Sequence, residues 1–152
     1  MKRVCTALEA AGLDAEIRET ALARTAADAA MAVGCELDQI AKSIIFHGHD
    51  SGQAILLLTA GGNRVEDTKA TLLAGELLVK ADAALVRAQT GFAIGGVAPV
   101  GHLSQIRAFI DPRLRDFSTI WAAAGTPHHV FAIAPEDLIR IARAQVADFV
   151  SR

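Results

Sequence analysis

The sequence contains no tyrosine, and aromatic residues make up only 5% of its 152 positions. A platform that stacks successive nucleic-acid bases on aromatic rings is not expected. Cysteine is nearly as scarce: Cys5 and Cys35 lie far apart, at no metal-ligand spacing. Both read as reduced, buried thiols of a cytoplasmic protein. No apolar run reaches the length that crosses a bilayer, so no membrane partner is expected. The start, MKRVCTALEAAG, has two basic residues but soon meets Glu9, which is not a secretory pattern. Excess positive charge is missing too. A net charge of −2 argues against non-specific coating of nucleic acid, yet leaves room for a local basic pocket that grips one or two phosphates. There is no nucleophile elbow, P-loop, paired-histidine zinc helix or dinucleotide fingerprint. Linkers, repeats and low-complexity tracts are absent as well.

What remains is globular: 52% hydrophobic and 21% charged, long enough for one well-filled domain over residues 1–152. The periodicity predicts helices over 2–11, from Thr25 to Gly34, over 65–74, from Asp82 to Gln89 and from Pro135 onward. Thr25 caps the second, with Asp28 three residues on, and Glu136 with Asp137 suits the start of the last. Leu72 and Leu73 are expected to face inward. Strands are predicted at 15–19, 41–47, 54–60, 77–80, 106–110, 119–124, 130–133 and 146–150, with 125–129 as a turn. Ala54 to Ala60, AILLLTA, reads as a central strand covered on both faces. The interspersed elements keep no regular strand–helix–strand rhythm. The expected fold is therefore α+β, a mixed sheet with surrounding helices.

Two stretches stand out. The first is TGFAIGGVAPVG, Thr90 to Gly101, with four glycines in twelve residues. Gly95 and Gly96 permit positive φ and close approach to the main chain, while Pro99 biases Ala98 toward an extended shape. Such a segment is either a tight turn or a loop presenting amides to a ligand. The second is AKSIIFH, Ala41 to His47. Alternation places Lys42 on one face with Ile44 and Phe46, and Ser43 on the other with Ile45 and His47. Lys42 either snorkels to water from the strand end or stands as a cation at the rim of an apolar pocket. Of the five histidines, none has a carboxylate or thiolate at a regular spacing, so no metal is expected. His128 or His129 reads as a pocket-lining donor or as an exposed turn residue.

Taken together, QIAKSIIF (39–46), TGFAIGGVAPVG (90–101), IDPRL (110–114) and AGTPHHVFAIAPEDL (124–138) resemble the YbaK/ProX group. These are aminoacyl-tRNA deacylases similar to the editing domain inserted in bacterial prolyl-tRNA synthetases. The resemblance covers nearly the whole chain, in the same order. It implies a freestanding trans-editing hydrolase that removes a small wrong amino acid from tRNA-Pro or a similar tRNA. It further implies catalysis by Lys42 with Gly95 and Gly96, without metal, cofactor or covalent intermediate. Ser43, Ile44, Phe46, Thr90, Pro99, Ala123, Gly125 and His129 would contact substrate. In the cysteinyl-specific branch a serine matches Ala123 and an aspartate matches Val130; in the alanyl-specific branch an asparagine matches Ser43. The amino acid therefore stays open among small candidates. A synthetase or elongation factor is a possible delivery partner, and the alternative is a non-catalytic module that holds tRNA ends or a nucleotide.

Overall fold

The computed structural model describes residues 1–151 and, among them, five α-helices around one mixed, eight-stranded sheet. The helices are α1 (Lys2–Ala10), α2 (Ala26–Val33), α3 (Asp67–Ala74), α4 (Ala83–Thr90) and α5 (Pro135–Ala142). The strands are β1 (Ile17–Glu19), β2 (Ile40–Gly48), β3 (Ala54–Ala60), β4 (Leu78–Lys80), β5 (Arg107–Ile110), β6 (Ile120–Thr126), β7 (His129–Ile133) and β8 (Ala144–Val146). Their order is β1-β7-β6-β2-β3-β5-β8, with β4 also on β2. The pairs β2/β6, β3/β5 and β5/β8 are parallel, and the rest antiparallel. The expected α+β architecture is thus the observed one.

Alternation along the strands divides the interior into layers. On one face Leu56, Leu58, Ile110, Ile120 and Phe131 pack under α1, α4, α5 and the segment after α4. On the other face there are two separate clusters. Ile40 and Trp121 pack with α2, while Ile55, Leu57 and Phe109 pack with α3. All seven residues of β3 are buried, as a central strand requires.

Local chemistry sets the helix ends. The Thr25 hydroxyl accepts the Asp28 N–H at 3.1 Å, and Asp82 accepts the Leu85 N–H at 2.7 Å. Gly34, Gly75 and Gly91 close their helices in the left-handed conformation.

Four expectations change. Leu72 is 78% exposed, because α3 begins at Asp67 and turns Ala70, Leu73 and Ala74 inward instead. The last strand is β8 at 144–146, since Arg143 takes the left-handed conformation and turns the chain directly out of α5. Val150 keeps only an isolated bridge to Val65. The strand before the histidine turn runs on to Thr126, with a register shift between Ala123 and Thr126. Both cysteines are free but only half-buried.

Candidate active site

Lys42 stands where the two smaller clusters fail to meet. Ile40 belongs to the α2 cluster, Ile44 and Phe46 pack against the α3 cluster, and Lys42 lies between them on the same face of β2. The sheet also opens here. β2 pairs with β6 only at Ile40↔Trp121 and Ala41↔Ala122. Past that point the strands part. β6 carries its irregularity between Ala123 and Thr126, where Gly125 has φ +101°. A bulge of this kind re-aims a strand. Lys80 of β4 takes up the free edge again opposite Phe46. Between these two pairings a cavity of about 590 Å³ enters the gap.

Lys42, Ser43, Ile44, Gly95, Ala123 and His129 all line this cavity. Lys42 and the glycine-rich loop approach it from opposite faces of the parted sheet. The Lys42 Nζ donates to the Asn63 carbonyl at 2.6 Å. Burial and the neighbouring Arg64 cation lower its pKa, with Asp111 and Asp38 opposing the shift.

The glycine-rich loop divides its labour. Gly96 is buried, its N–H donates to the Ala93 carbonyl at 3.1 Å, and a Cβ there would meet the Thr126 backbone at 3.2 Å. Gly96 therefore packs against the cavity wall and does not line the cavity. Gly95 has φ +92°, and a Cβ would meet nothing within 4 Å. Gly95 and Val97 line the cavity, and neither N–H is engaged by another described residue. The turn thus engages the Gly96 amide and leaves the amides on either side of it unengaged.

Thr126 organises the opposite wall. Its hydroxyl lies 2.7 Å from His129 Nδ1 and accepts the His128 N–H at 3.1 Å. His129 lines the cavity; His128 is exposed. Ala123 and Val130 face each other across β6 and β7 and both line the cavity, so this part of the wall is small and apolar. The Ser43 hydroxyl is buried without a hydrogen-bond partner.

Four expected contact residues are placed elsewhere. Phe46 packs toward α3, where β4 has closed the β2 edge. Thr90 is fully buried, donating to Val86 O at 2.7 Å and accepting the Phe92 N–H, which ties the end of α4 to the loop. Pro99 faces a depression between α1 and α5. Gly125 lies against Met1 and the Phe92 ring, beside a different hollow.

Sequence reasoning missed the wall formed by 61–64. Gly61 has no room for a side chain against the Leu37 carbonyl. The Gly62 N–H donates to Asp38 Oδ1 at 2.8 Å. Asp111, 2% exposed, accepts the Ala60 N–H at 3.1 Å, Asn63 Nδ2 at 2.8 Å and the Arg113 N–H at 3.0 Å. A buried carboxylate thereby holds Asn63, and the Asn63 carbonyl holds Lys42. The signal was an aspartate at the end of an apolar strand and before proline. Among the described residues, no three His, Cys, Asp or Glu side chains gather in a way that could hold a metal ion.

Comparison with known proteins gives this geometry a class. The model of the aminoacyl-tRNA editing domain matches residues 20–141, and the chain belongs to that family. It is 31% identical over 122 residues to the uncharacterized protein YwhH of Bacillus subtilis, covering 80% of this chain and 77% of that one. It is 25% identical over 133 residues to an Enterococcus faecalis protein named "Putative Cys-tRNA(Pro)/Cys-tRNA(Cys) deacylase EbsC", covering 84% and 78%. A solved structure described as "a putative trans-editing enzyme for prolyl tRNA synthetase" superposes with a TM-score of 0.93 at 44% identity, covering 99% and 96%. The family and these likenesses support an editing or deacylase activity on aminoacyl-tRNA.

Proposed function

We propose that this protein acts in trans on mischarged tRNA, hydrolysing the ester between a small wrong amino acid and the terminal ribose. The observation that carries this reading is the meeting of one half-buried ammonium and two unengaged amides in a single, mostly apolar cavity. Tetrahedral attack on an ester builds negative charge on the carbonyl oxygen. Donors fixed beforehand, in a place shielded from water, stabilise that charge far better than solvent does. The Gly95 and Val97 amides are suited to this role, and Lys42 to anchoring the anionic end of the substrate. Water attacks the carbonyl carbon, the ester C–O bond breaks, and the ribose oxygen leaves with a proton. A hydroxyl of the terminal ribose assists. Neither a metal nor a covalent intermediate is required, because the ester is already activated.

Ala123, Val130 and Ile44 suit an amino-acid pocket for a small, weakly polar side chain. One methylene is worth only about 1–3 kcal/mol to such a pocket, which is why a second sieve is useful. Alanine, serine and cysteine head the candidates, on tRNA-Pro or a tRNA like it. Ala123 and Val130, opposed across one strand pair, depart from the cysteinyl-specific pattern, and Ser43 departs from the alanyl-specific one, so the amino acid stays open among these.

The test is a panel of tRNAs mischarged with these amino acids, followed by release of the free amino acid. We expect turnover of at least one small amino acid and none of a large one. Release of nothing from any member would favour a module that only holds the tRNA end.

A further inference from the structure

We propose that Arg24 and Arg64 form a clamp at the mouth of the cavity for the phosphodiester that precedes the terminal adenosine. The inference rests on the tRNA-end reading above and adds a subsite to it. Both residues line the cavity, and both are exposed. They come from different walls: Arg24 from the approach to α2, Arg64 from the segment after β3.

Each backbone is held while each guanidinium is left free. The Arg24 N–H donates to Asp28 Oδ2 at 3.2 Å, and the Arg64 carbonyl accepts the Ser151 N–H at 2.9 Å. Neither guanidinium makes an ion pair or hydrogen bond among the described residues. Elsewhere, Arg18, Arg113, Arg115 and Arg140 are paired with carboxylates, while Arg87 and Arg143, also without an ion pair among the described residues, line other hollows. The acids near Lys42 cannot serve as easily. Asp38 is taken by Gly62 and Arg113, and Asp111 by Ala60, Asn63 and Arg113.

Arg64 and Lys42 bring two cations to the same cavity. Arg64 stands close enough to Lys42 to disfavour its charged form. An anion between them turns mutual repulsion into shared attraction. Planar guanidinium groups suit phosphate oxygens. With a net charge of −2 the chain has no overall field for RNA, so affinity must be concentrated at such a point.

The experiment compares two substrates carrying the same amino acid: full-length aminoacyl-tRNA and 3′-aminoacyl-adenosine, which has no phosphate. For Arg24→Gln and Arg64→Gln, the ratio of kcat/KM on tRNA to that on the adenosine ester should fall about tenfold each, the loss of one charge-assisted contact. The slope of log kcat/KM for tRNA against log salt should shrink by about 0.7 per substitution. An unchanged ratio and slope would overturn the clamp. A second arm uses binding alone, with uncharged cytidylyl-cytidylyl-adenosine against adenosine. The wild-type protein should prefer the trinucleotide, and the double variant should lose that preference; a retained preference would also overturn it. If no substrate is hydrolysed, the deacylase reading fails while this arm still decides the clamp.

Discussion

Toward β3, strand β2 is paired at every position from Ala41 to His47; toward β6 it is paired at Ile40 and Ala41 and then released. The same side chains therefore meet two different environments. The closed edge gives continuous apolar layers, with Leu56, Leu57 and Leu58 fully buried on alternate faces. The open edge gives a cavity, a partly desolvated lysine and main-chain donors with nothing to bind. One edge stores stability and the other exposes chemistry. A parallel pair that is allowed to part is a cheap way to build a pocket, because the intact edge keeps the strand in place.

The largest expected effect lies on the open edge. Lys42→Met should lower deacylation about 10- to 100-fold, the scale of losing one charge-assisted contact to the substrate. It should not lower the melting temperature, because burying the ammonium is itself unfavourable. The pH dependence follows in sign. The folded pKa of Lys42 is lowered from the ordinary 10.5, so the folded chain gives up this proton before the unfolded chain does. Stability contributed by this group rises with pH between the lowered value and 10.5, while activity that needs the ammonium falls across the lowered value. Parallel measurements of melting and turnover from neutral to alkaline pH would check both. Turnover in Lys42→Met equal to wild type would remove the lysine from the reaction.

A smaller effect joins the two edges. Asp111→Ala strips the carboxylate from the end of β3 and from Asn63, and should cost about 3 kcal/mol in denaturant unfolding for the donors left unpaired. Turnover per folded molecule should also drop, about tenfold, since Asn63 no longer fixes Lys42. In the Lys42→Met background this second loss should vanish, as expected for residues acting in one chain of contacts. Full additivity would separate Asp111 from the lysine.

The smallest effect sharpens specificity. Ala123→Ser adds a hydroxyl opposite Val130 and should shift preference toward a small polar amino acid by about 1 kcal/mol, roughly fivefold. Competition between two mischarged tRNAs reads that ratio directly. No shift would move the amino-acid pocket away from this strand pair.

Residues 54–60 were legible as a buried central strand because every side chain there is apolar. Thr25, Asp82 and Gly34 were legible because capping is settled within a few neighbours. Lys42 was visible as a charge among apolar strand residues, though not whether it faced water or a cavity. Phe46 shares its face and still falls outside the cavity, and periodicity cannot tell the two apart. Only the pairing of Phe46 with Lys80 does so. Gly95 and Gly96 looked alike in the sequence; the turn takes one amide and leaves its neighbours free.

The sequence by itself determined most of the strands, the helix starts at Thr25 and Asp82, the buried central strand and the one lysine out of place, because each depends on short-range periodicity and turn chemistry. Only the tertiary structure decided where β2 and β6 separate, which amides stay free and that Asp111 reaches Lys42 through Asn63. Those outcomes depend on pairings between residues distant along the chain, and local composition carries no record of which strand lies beside which, or of how far it stays there.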